Sequence, residues 1–214
     1  GIWKVYTPKG SVSASKVILS VNGHLNSFGF LKKRLMHIFL YASMTRALTS
    51  EEIRNLGGEP SWGVAPANPF GSSIRKISGL GGDRIMVRNK FHFTSSLEAS
   101  DSDVKRSVRD HDRSFQRRFP MLRDVSMEYR WGGRLCLSWN GVPVFGEIEN
   151  GLFAACCQNG LGASKGTLTG ILAAEYASGV QSSYIEDYLN EAQPTQLPPE
   201  PFATIGASTY LNWQ

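Results

Sequence analysis

The sequence predicts a mixed α/β (α+β) fold, and three observations carry that expectation. Residues 2–6 alternate as a strand and lead through Thr7-Pro8-Lys9-Gly10 into a second strand from Val12, a hairpin pattern. Between Asp101 and Phe119 the period lengthens, with Val104, Val108, His111, Phe115 and Phe119 recurring every three or four residues. From about Ala163 to Ser178 it lengthens again, so strand-rich stretches alternate with helices.

Length and composition bound what such a fold can be. The 214 residues are 41% hydrophobic, enough for a buried core in one large domain or two small ones, which excludes a disordered or fibrous chain. The 22 glycines are about a tenth of the chain against a usual ~7% and lack a collagen period, so they mark turns and close backbone approaches. A formal net charge of +5 suits an anionic ligand, but it is too modest and dispersed to imply nucleic acid. Three cysteines, Cys136, Cys156 and Cys157, form neither an even disulfide framework nor a zinc spacing, and they point to a reducing, cytoplasmic setting with no metal. No apolar run approaches the ~20 residues of a membrane span, and no basic-then-apolar leader opens the chain.

The elements follow in order. Residues 16–21 carry a β-branched apolar run ending at Asn22-Gly23, the pattern of a strand buried on both faces in a layered fold. A long strand is expected over 36–45. Thr49 and Glu52 then form a capping box for a short peripheral helix that Gly57-Gly58 ends. Residues 74–80 and 84–93 flank Gly81-Gly82-Asp83 as a hairpin of an antiparallel sheet.

The helix over 101–119 has acids at its start, Arg117-Arg118 at its end and Pro120 beyond. Its basic residues read as a solvated face, since Asp110 and Asp112 interrupt them and no aromatic is interleaved. His111 falls on the apolar stripe, as a hydrogen-bonded core-edge histidine does. Strands are expected over 125–131, 134–138, 144–148 and 152–157, with Asn150-Gly151 turning the last pair. The final helix, over 163–178, carries Gly162, Gly166 and Gly170 at four-residue spacing, which implies close packing of that face against a strand. The tail over 193–214 reads as an extended connector and a short wrapping segment.

The stretch from Cys156 to Ala163 carries the chemistry. A buried strand passes through Asn159-Gly160-Leu161-Gly162 into a helix, whose first turn offers unpaired N–H groups and partial positive charge to a flat or anionic ligand. The third glycine of a dinucleotide fingerprint is missing, because Lys165 stands there and Gly166 is one residue late, so the turn is a poor pyrophosphate cradle. It suits the carbonyl edge of a flavin ring better, although strand-glycine-helix junctions also serve packing alone.

The residues Trp131-Gly132-Gly133-Arg134, then 140–146 (Asn-Gly-Val-Pro-Val-Phe-Gly), then 152–175 resemble the C-terminal signature of the D-amino-acid oxidase/glycine oxidase superfamily of FAD-dependent oxidoreductases, most closely a gamma-glutamylputrescine-oxidase-like branch. Gly10, Val12, Ala14 and 17–23 likewise resemble the strands that close the family's FAD domain. The resemblance implies part of a Rossmann-like FAD domain, over 1–24 and 131–192, plus a mixed, largely antiparallel substrate-binding sheet with flanking helices over 25–130.

It also implies FAD as cofactor, with Asn22, Gly23 and the backbone of Asn159, Gly160, Leu161 and Gly162 at the flavin, and Arg134 near a substrate carboxylate. Asn140 replaces the family's frequent aspartate, and the spacing from Arg134 to Pro143 is one residue longer than in carboxylate-binding members, which weakens that role for Arg134. An arginine paired within the sheet is the equal alternative. Cys136 is the nearest candidate for a covalent flavin tether, and a buried strand cysteine is the more usual reading.

The implied activity is hydride transfer from the carbon bearing an amine or amino-acid nitrogen to flavin N5, with no obligatory acid-base residue. The family's nucleotide-binding half is missing from this chain, and Gly rather than Met at position 1 fits a fragment. The expected partner is a polypeptide carrying that half, as a separate subunit or cleaved fragment of a hetero-oligomer. Neither nucleic acid nor membrane is expected. The alternative is a non-catalytic structural or regulatory subunit that keeps the fold without flavin.

Overall fold

A computed structural model describes residues 1–67, 71–93 and 100–213. In chain order the strands and helices are β1 (Trp3–Thr7), β2 (Gly10–Ala14), β3 (Val17–Leu19), β4 (Leu35–Thr45), α1 (Ser50–Leu56), β5 (Trp62–Val64), β6 (Ser73–Ile77), β7 (Arg84–Phe93), α2 (Asp101–Arg118), β8 (Met127–Ser138), β9 (Val144–Glu149), β10 (Leu152–Cys156), α3 (Lys165–Ala177), α4 (Ser183–Asn190) and α5 (Phe202–Trp213). The chain separates into two compact units, one of Gly1–His37 with Leu135–Ala203, the other of Ile38–Arg134 with Thr204–Gln214. The boundaries fall inside β4 and β8, so each of these strands serves both units.

The first unit holds the β1–β2 hairpin and a three-stranded sheet of order β3-β10-β9. β10 is its center: all five residues are buried, parallel to β3 on one side and antiparallel to β9 on the other. Leu19, Leu25, Leu35, Cys136, Val144 and Leu152 form its core with Ala154, Cys156 and Cys157. Asn150-Gly151 makes the expected turn, at a positive φ of 76° for Gly151, whose N–H is held by the Glu147 carboxylate at 2.7 Å.

The second unit is a five-stranded sheet of order β5-β6-β7-β4-β8, with antiparallel pairing of β5–β6, β6–β7 and β7–β4. α2 lies on it. The Ser100/Asp103 capping box starts α2, and its stripe buries His111 and Phe115 against Ile85, Val87, Leu122 and Val125. α1 has its Thr49/Glu52 capping box and buries none of its own residues, as its short peripheral pattern requires.

Several expectations are corrected. The run over 16–21 is not buried on both faces: β3 is an edge strand with β10 as its neighbor, and Ile18 is 39% exposed while Leu19 is buried. The two strands expected on either side of Gly132-Gly133 are one continuous β8, because glycines in extended conformation do not break a strand. The glycine face of α3 is not packed against a strand. A Cβ at Gly162 or Gly170 would meet nothing within 4 Å, and at Gly166 only the Gln158 Cγ at 3.7 Å. α3 packs on β10 through Thr169, Leu172, Ala173 and Ala177 instead, leaving Leu168 and Ile171 exposed. The tail is extended only before residue 202, and α5 follows. α4, capped by Ser182, was not anticipated; it is amphipathic over just two turns, too short for periodicity to stand out.

Candidate active site

β3 and β10 run parallel, Val17 opposite Leu152 and Leu19 opposite Ala154, so both end at the same edge of their sheet. In α/β folds ligands bind outside the carboxyl ends of such strands. β3 leads into a 3₁₀ turn, Asn22–Phe28, and β10 leads into α3. The Cys156 thiol joins the two ends, donating to the Leu19 carbonyl at 3.1 Å and lying against the backbone of Asn22 and Val21. Burial pushes that thiol up, so it stays protonated and structural. Asn22, at φ 51°, and the buried Gly23 are thereby brought beside the turn after β10.

That turn reverses through three left-handed residues, Cys157 (φ 56°), Asn159 (φ 51°) and Gly160 (φ 86°). Asparagine and glycine tolerate this region, and Cys157 is the strained member. The Asn159 side chain holds the conformation. Its Oδ1 accepts from the Ser138 N–H at 2.8 Å and lies 3.3 Å from the Ser138 hydroxyl, and its Nδ2 donates to the Cys157 carbonyl at 3.1 Å. Ser138 is itself anchored, its hydroxyl donating to the Val142 carbonyl at 2.7 Å. The Cys157 thiol is held below its ordinary range by the Cys136 thiol first, with Ser138 and the Asn159 N–H adding to it against burial. Cys136 is 1% exposed within this cluster, which suits the buried strand cysteine rather than a flavin tether.

Of the four amides expected, those of Asn159 and Leu161 are engaged within the turn, whereas Gly160 and Gly162 have no backbone acceptor among the described residues. The Leu161 N–H is spent on the Gln158 carbonyl at 3.0 Å, and the Asn159 N–H faces the Cys157 sulfur. Helical bonding begins at Leu161, whose carbonyl accepts from Lys165, and Gly162, whose carbonyl accepts from Gly166. Among the described residues the amides of Gly162, Ala163 and Ser164 therefore have no acceptor, as the first turn of a helix dictates. These residues are exposed, Ser164 supplies no side-chain cap, no acid stands in the first turn of α3, and Lys165 adds positive charge there. Beside them the Gln158 Oε1 is buried without a partner, while its Nε2 donates to Thr169 at 2.9 Å. Within the stretch expected to carry the chemistry, the free amides of Ala163 and, just beyond it, Ser164 were not singled out, because residue type alone does not tell which amides a turn consumes.

Arg134 lies in the second unit, on β8, its guanidinium 5.6 Å from the Phe39 ring centroid. His92 stacks on both Phe39 and Tyr41, and the Tyr41 hydroxyl is 2.6 Å from His92 Nδ1. Burial, then Asp103, pushes Tyr41 up to about 12, and burial pushes His92 down, so both are neutral near pH 7. His111 is fully buried, its Nε2 3.2 Å from the Asn89 carbonyl and its Nδ1 2.6 Å from the Ser43 hydroxyl. The carbonyl can only accept, so Nε2 carries the proton and Ser43 donates to Nδ1. This is the core-edge histidine that its place on the stripe implies. Among the described residues no group of three histidine, cysteine, aspartate or glutamate side chains could hold a metal ion, and no helix is long and apolar enough to cross a membrane.

The parallel strand pair, the left-handed turn and the bare helix start form a sheet edge with the layout at which α/β folds bind ligands. Residues 1–176 match the family described as DAO, FAD dependent oxidoreductase, and the chain belongs to that family. No curated protein matches the sequence. Among solved structures the chain is similar to L-proline dehydrogenase from P.horikoshii (TM-score 0.60, 19% identity, covering 86% of this chain and 48% of that one). It is also similar to glycine oxidase from Geobacillus kaustophilus (0.62, 18%, 90% and 48%) and to a modified fructosyl peptide oxidase from Aspergillus nidulans (0.64, 16%, 90% and 52%). At these identities the likeness is one of fold, and the chain spans about half the length of each of these structures.

FAD is the cofactor of this family. The donor set fits the pyrimidine edge of its ring, whose carbonyls need donors and whose ring N–H needs an acceptor: three free amides stand beside the free Gln158 Oε1.

Proposed function

We propose that this chain supplies the ring-side wall and substrate sheet of an FAD-dependent amine or amino-acid oxidoreductase, with the nucleotide-binding part contributed by another polypeptide. The observation that carries the reading is the turn over 157–164, which leaves the amides of Gly162, Ala163 and Ser164 unsatisfied and exposed at the carboxyl edge of β3 and β10. When bound, FAD supplies a two-electron acceptor for hydride from the carbon bearing the substrate nitrogen.

The chain's own residues do the positioning. Asn159 and Ser138 hold the turn, Gly162, Ala163 and Ser164 direct N–H groups outward, and the start of α3 with Lys165 favors negative charge at that edge. Asn22 and Gly23 border the same edge. Arg134 remains the residue proposed for a substrate carboxylate, its planar fork already held over Phe39. A neutral amine oriented against the acceptor needs no acid-base side chain, so orientation and desolvation carry the catalysis.

The bare first turn of α3 supports the expectation of a partner. So does unit one itself, where Ile18 on the edge strand and Leu168 and Ile171 on α3 are exposed. Native mass spectrometry with absorbance spectroscopy on the assembly purified from its source tests the proposal. The expected result is a particle heavier than 23.6 kDa with a second polypeptide and flavin bands. A colorless single chain that stays colorless with added FAD overturns it in favor of a non-catalytic subunit.

A further inference from the structure

The face of the second unit's sheet opposite α2 carries features that the flavin reading leaves unused. Ile85 and Val87 of β7 point into the core with Phe115 of α2, so Arg84, Met86 and Arg88 alternate onto the other face. The register sets their neighbors on that face. Arg88 lies opposite Ser73 of β6 and Ala42 of β4, and Met86 lies opposite Arg75 and Met44.

A bulge completes the arrangement. Tyr41 pairs with Asn89 and Leu40 with Phe91, so Lys90 is an extra residue in β7, held in the left-handed region at φ 61°. Lysine is strained there, and strain of this kind collects at functional sites. Unbroken alternation would send Phe91 to the α2 side with Val87. The bulge puts it on the face of Arg88 instead, with the guanidinium 5.2 Å from its ring centroid. Arg88 Nη2 also donates to the Ser73 hydroxyl. The half-buried guanidinium is thus fixed on two sides, yet among the described residues no carboxylate meets it. Arg84, on the same face of the same strand, is paired with Glu128 at 2.6 Å. Burial lowers the Arg88 pKa, with no acid to oppose it. A charge partly withdrawn from water without a countercharge is unfavorable, which marks the position as one that a ligand completes. Arg75, the diagonal neighbor at about 7–8 Å, is exposed and has no hydrogen bond or ion pair among the described residues.

We propose that this face binds a small carboxylic acid with a short apolar chain, Arg88 gripping the carboxylate while Met44 and Met86 receive the chain. Ser73 takes one of the five guanidinium donors, and the planar fork keeps donors for both carboxylate oxygens. The half-buried Met44 and Met86 face each other two residues further along their strands, about 6.6–6.8 Å away, a span that an acid of about six carbons covers. Their unbranched side chains adapt to such a chain. This site is separate from Arg134. Phe39, Tyr41 and Ser43 alternate onto the face where Ser43 meets His111 of α2, and Arg134 stacks on Phe39 there. The two arginines serve opposite faces of the sheet, and binding at Arg88 needs no flavin.

Methionine-methyl NMR on the whole chain tests this, with hexanoate, acetate and 1-hexanol as probes and Met44→Leu and Met86→Leu to assign the signals. Hexanoate is expected to shift the Met44 and Met86 methyls saturably and to bind about tenfold or more tighter than acetate, which lacks the chain, or 1-hexanol, which lacks the charge. Arg88→Gln should weaken hexanoate by about tenfold or more with an unchanged circular dichroism spectrum, and Arg88→Lys, which keeps the charge without the fork, should weaken it less. Shifts confined to other methionines, a smaller preference over either control probe, or a smaller loss in Arg88→Gln overturns the proposal. If Arg88→Gln does not fold, the ranking of the three probes on the unaltered chain decides alone. No arm contains flavin, so failure here is distinct from failure of the oxidoreductase reading.

Discussion

The two units close their cores differently. In the second, α2 and the loop after it cover the sheet: Phe115, Leu122, Ile85 and Val87 are essentially inaccessible, and the buried polar groups His111 and Ser43 satisfy each other. In the first, β10 is fully buried, yet the neighboring surfaces are bare. β3 is a three-residue edge, the β1–β2 hairpin exposes Tyr6 at 75% and Val12 at 62%, and α3 exposes Leu168 at 43% and Ile171 at 54%. Apolar surface removed from water contributes roughly 25 cal/mol per Å², so a unit that leaves such surface open forgoes stability that a covering partner would restore. The difference is that α2 and the loop after it close the core of the second unit, whereas the edge strand, hairpin and α3 of the first keep apolar side chains in contact with solvent.

Substitutions of similar size in the two units should expose that contrast. Phe115→Ala, in the closed core, should lower stability by about 3–5 kcal/mol through lost transfer energy and cavity formation, measured by urea denaturation. A loss under about 1 kcal/mol would mean that the second unit is not the better-packed one. Asn159→Ala should cost about 1–3 kcal/mol, because the Ser138 N–H is left without its acceptor and alanine is strained at φ 51°. In the flavin-loaded assembly it should also weaken flavin retention, read by dialysis and absorbance. Asn159→Gly, which relieves the φ strain but not the lost bonds, separates the two causes.

A smaller effect is expected at α1. The Arg46 guanidinium first, and then the Thr49 N–H, hold the Glu52 carboxyl at about 2, below its unfolded value. A depressed carboxyl stabilizes the fold above the unfolded pKa of about 4.3 and loses that contribution as pH falls toward 2. The pair is partly exposed, so the contribution is about 1 kcal/mol or less. Glu52→Gln should flatten the acid limb of stability between pH 4.5 and 2 by that amount, and an unchanged limb would break the assignment. Ile171→Ser, on the bare face of α3, should change the stability of the isolated chain by no more than about 0.5 kcal/mol. The same variant should retain less partner polypeptide in native mass spectrometry if the face is covered there.

Local patterns were legible where physics is local. The Thr49/Glu52 capping box, the Asn150-Gly151 turn, the α2 stripe and the buried His111 follow from neighboring residues, whose preferences survive into the fold. The candidate site was legible in position and only partly in donors. The glycine turn into α3 stands where expected, while the amides of Asn159 and Leu161 are consumed and those of Ala163 and Ser164 are free. Only the backbone path decides this. Glycine spacing misled on α3 for a related reason: three glycines on one face permit close approach, but whether anything approaches depends on a neighbor outside the helix.

What the sequence determined by itself is therefore the family, the strands and helices with strong local signals, and the helix-initiating turn at 157–164, because each rests on contacts within a few residues or on an ordered series of motifs. The tertiary structure decided which edges stay open, that the Asn159 side chain clamps the turn, and that β3 is an edge. These depend on partners far apart in the chain, such as Ser138 for Asn159 and Leu152 for Val17. No spacing along one strand encodes such a partner, since burial and hydrogen-bond satisfaction are properties of the assembled neighborhood.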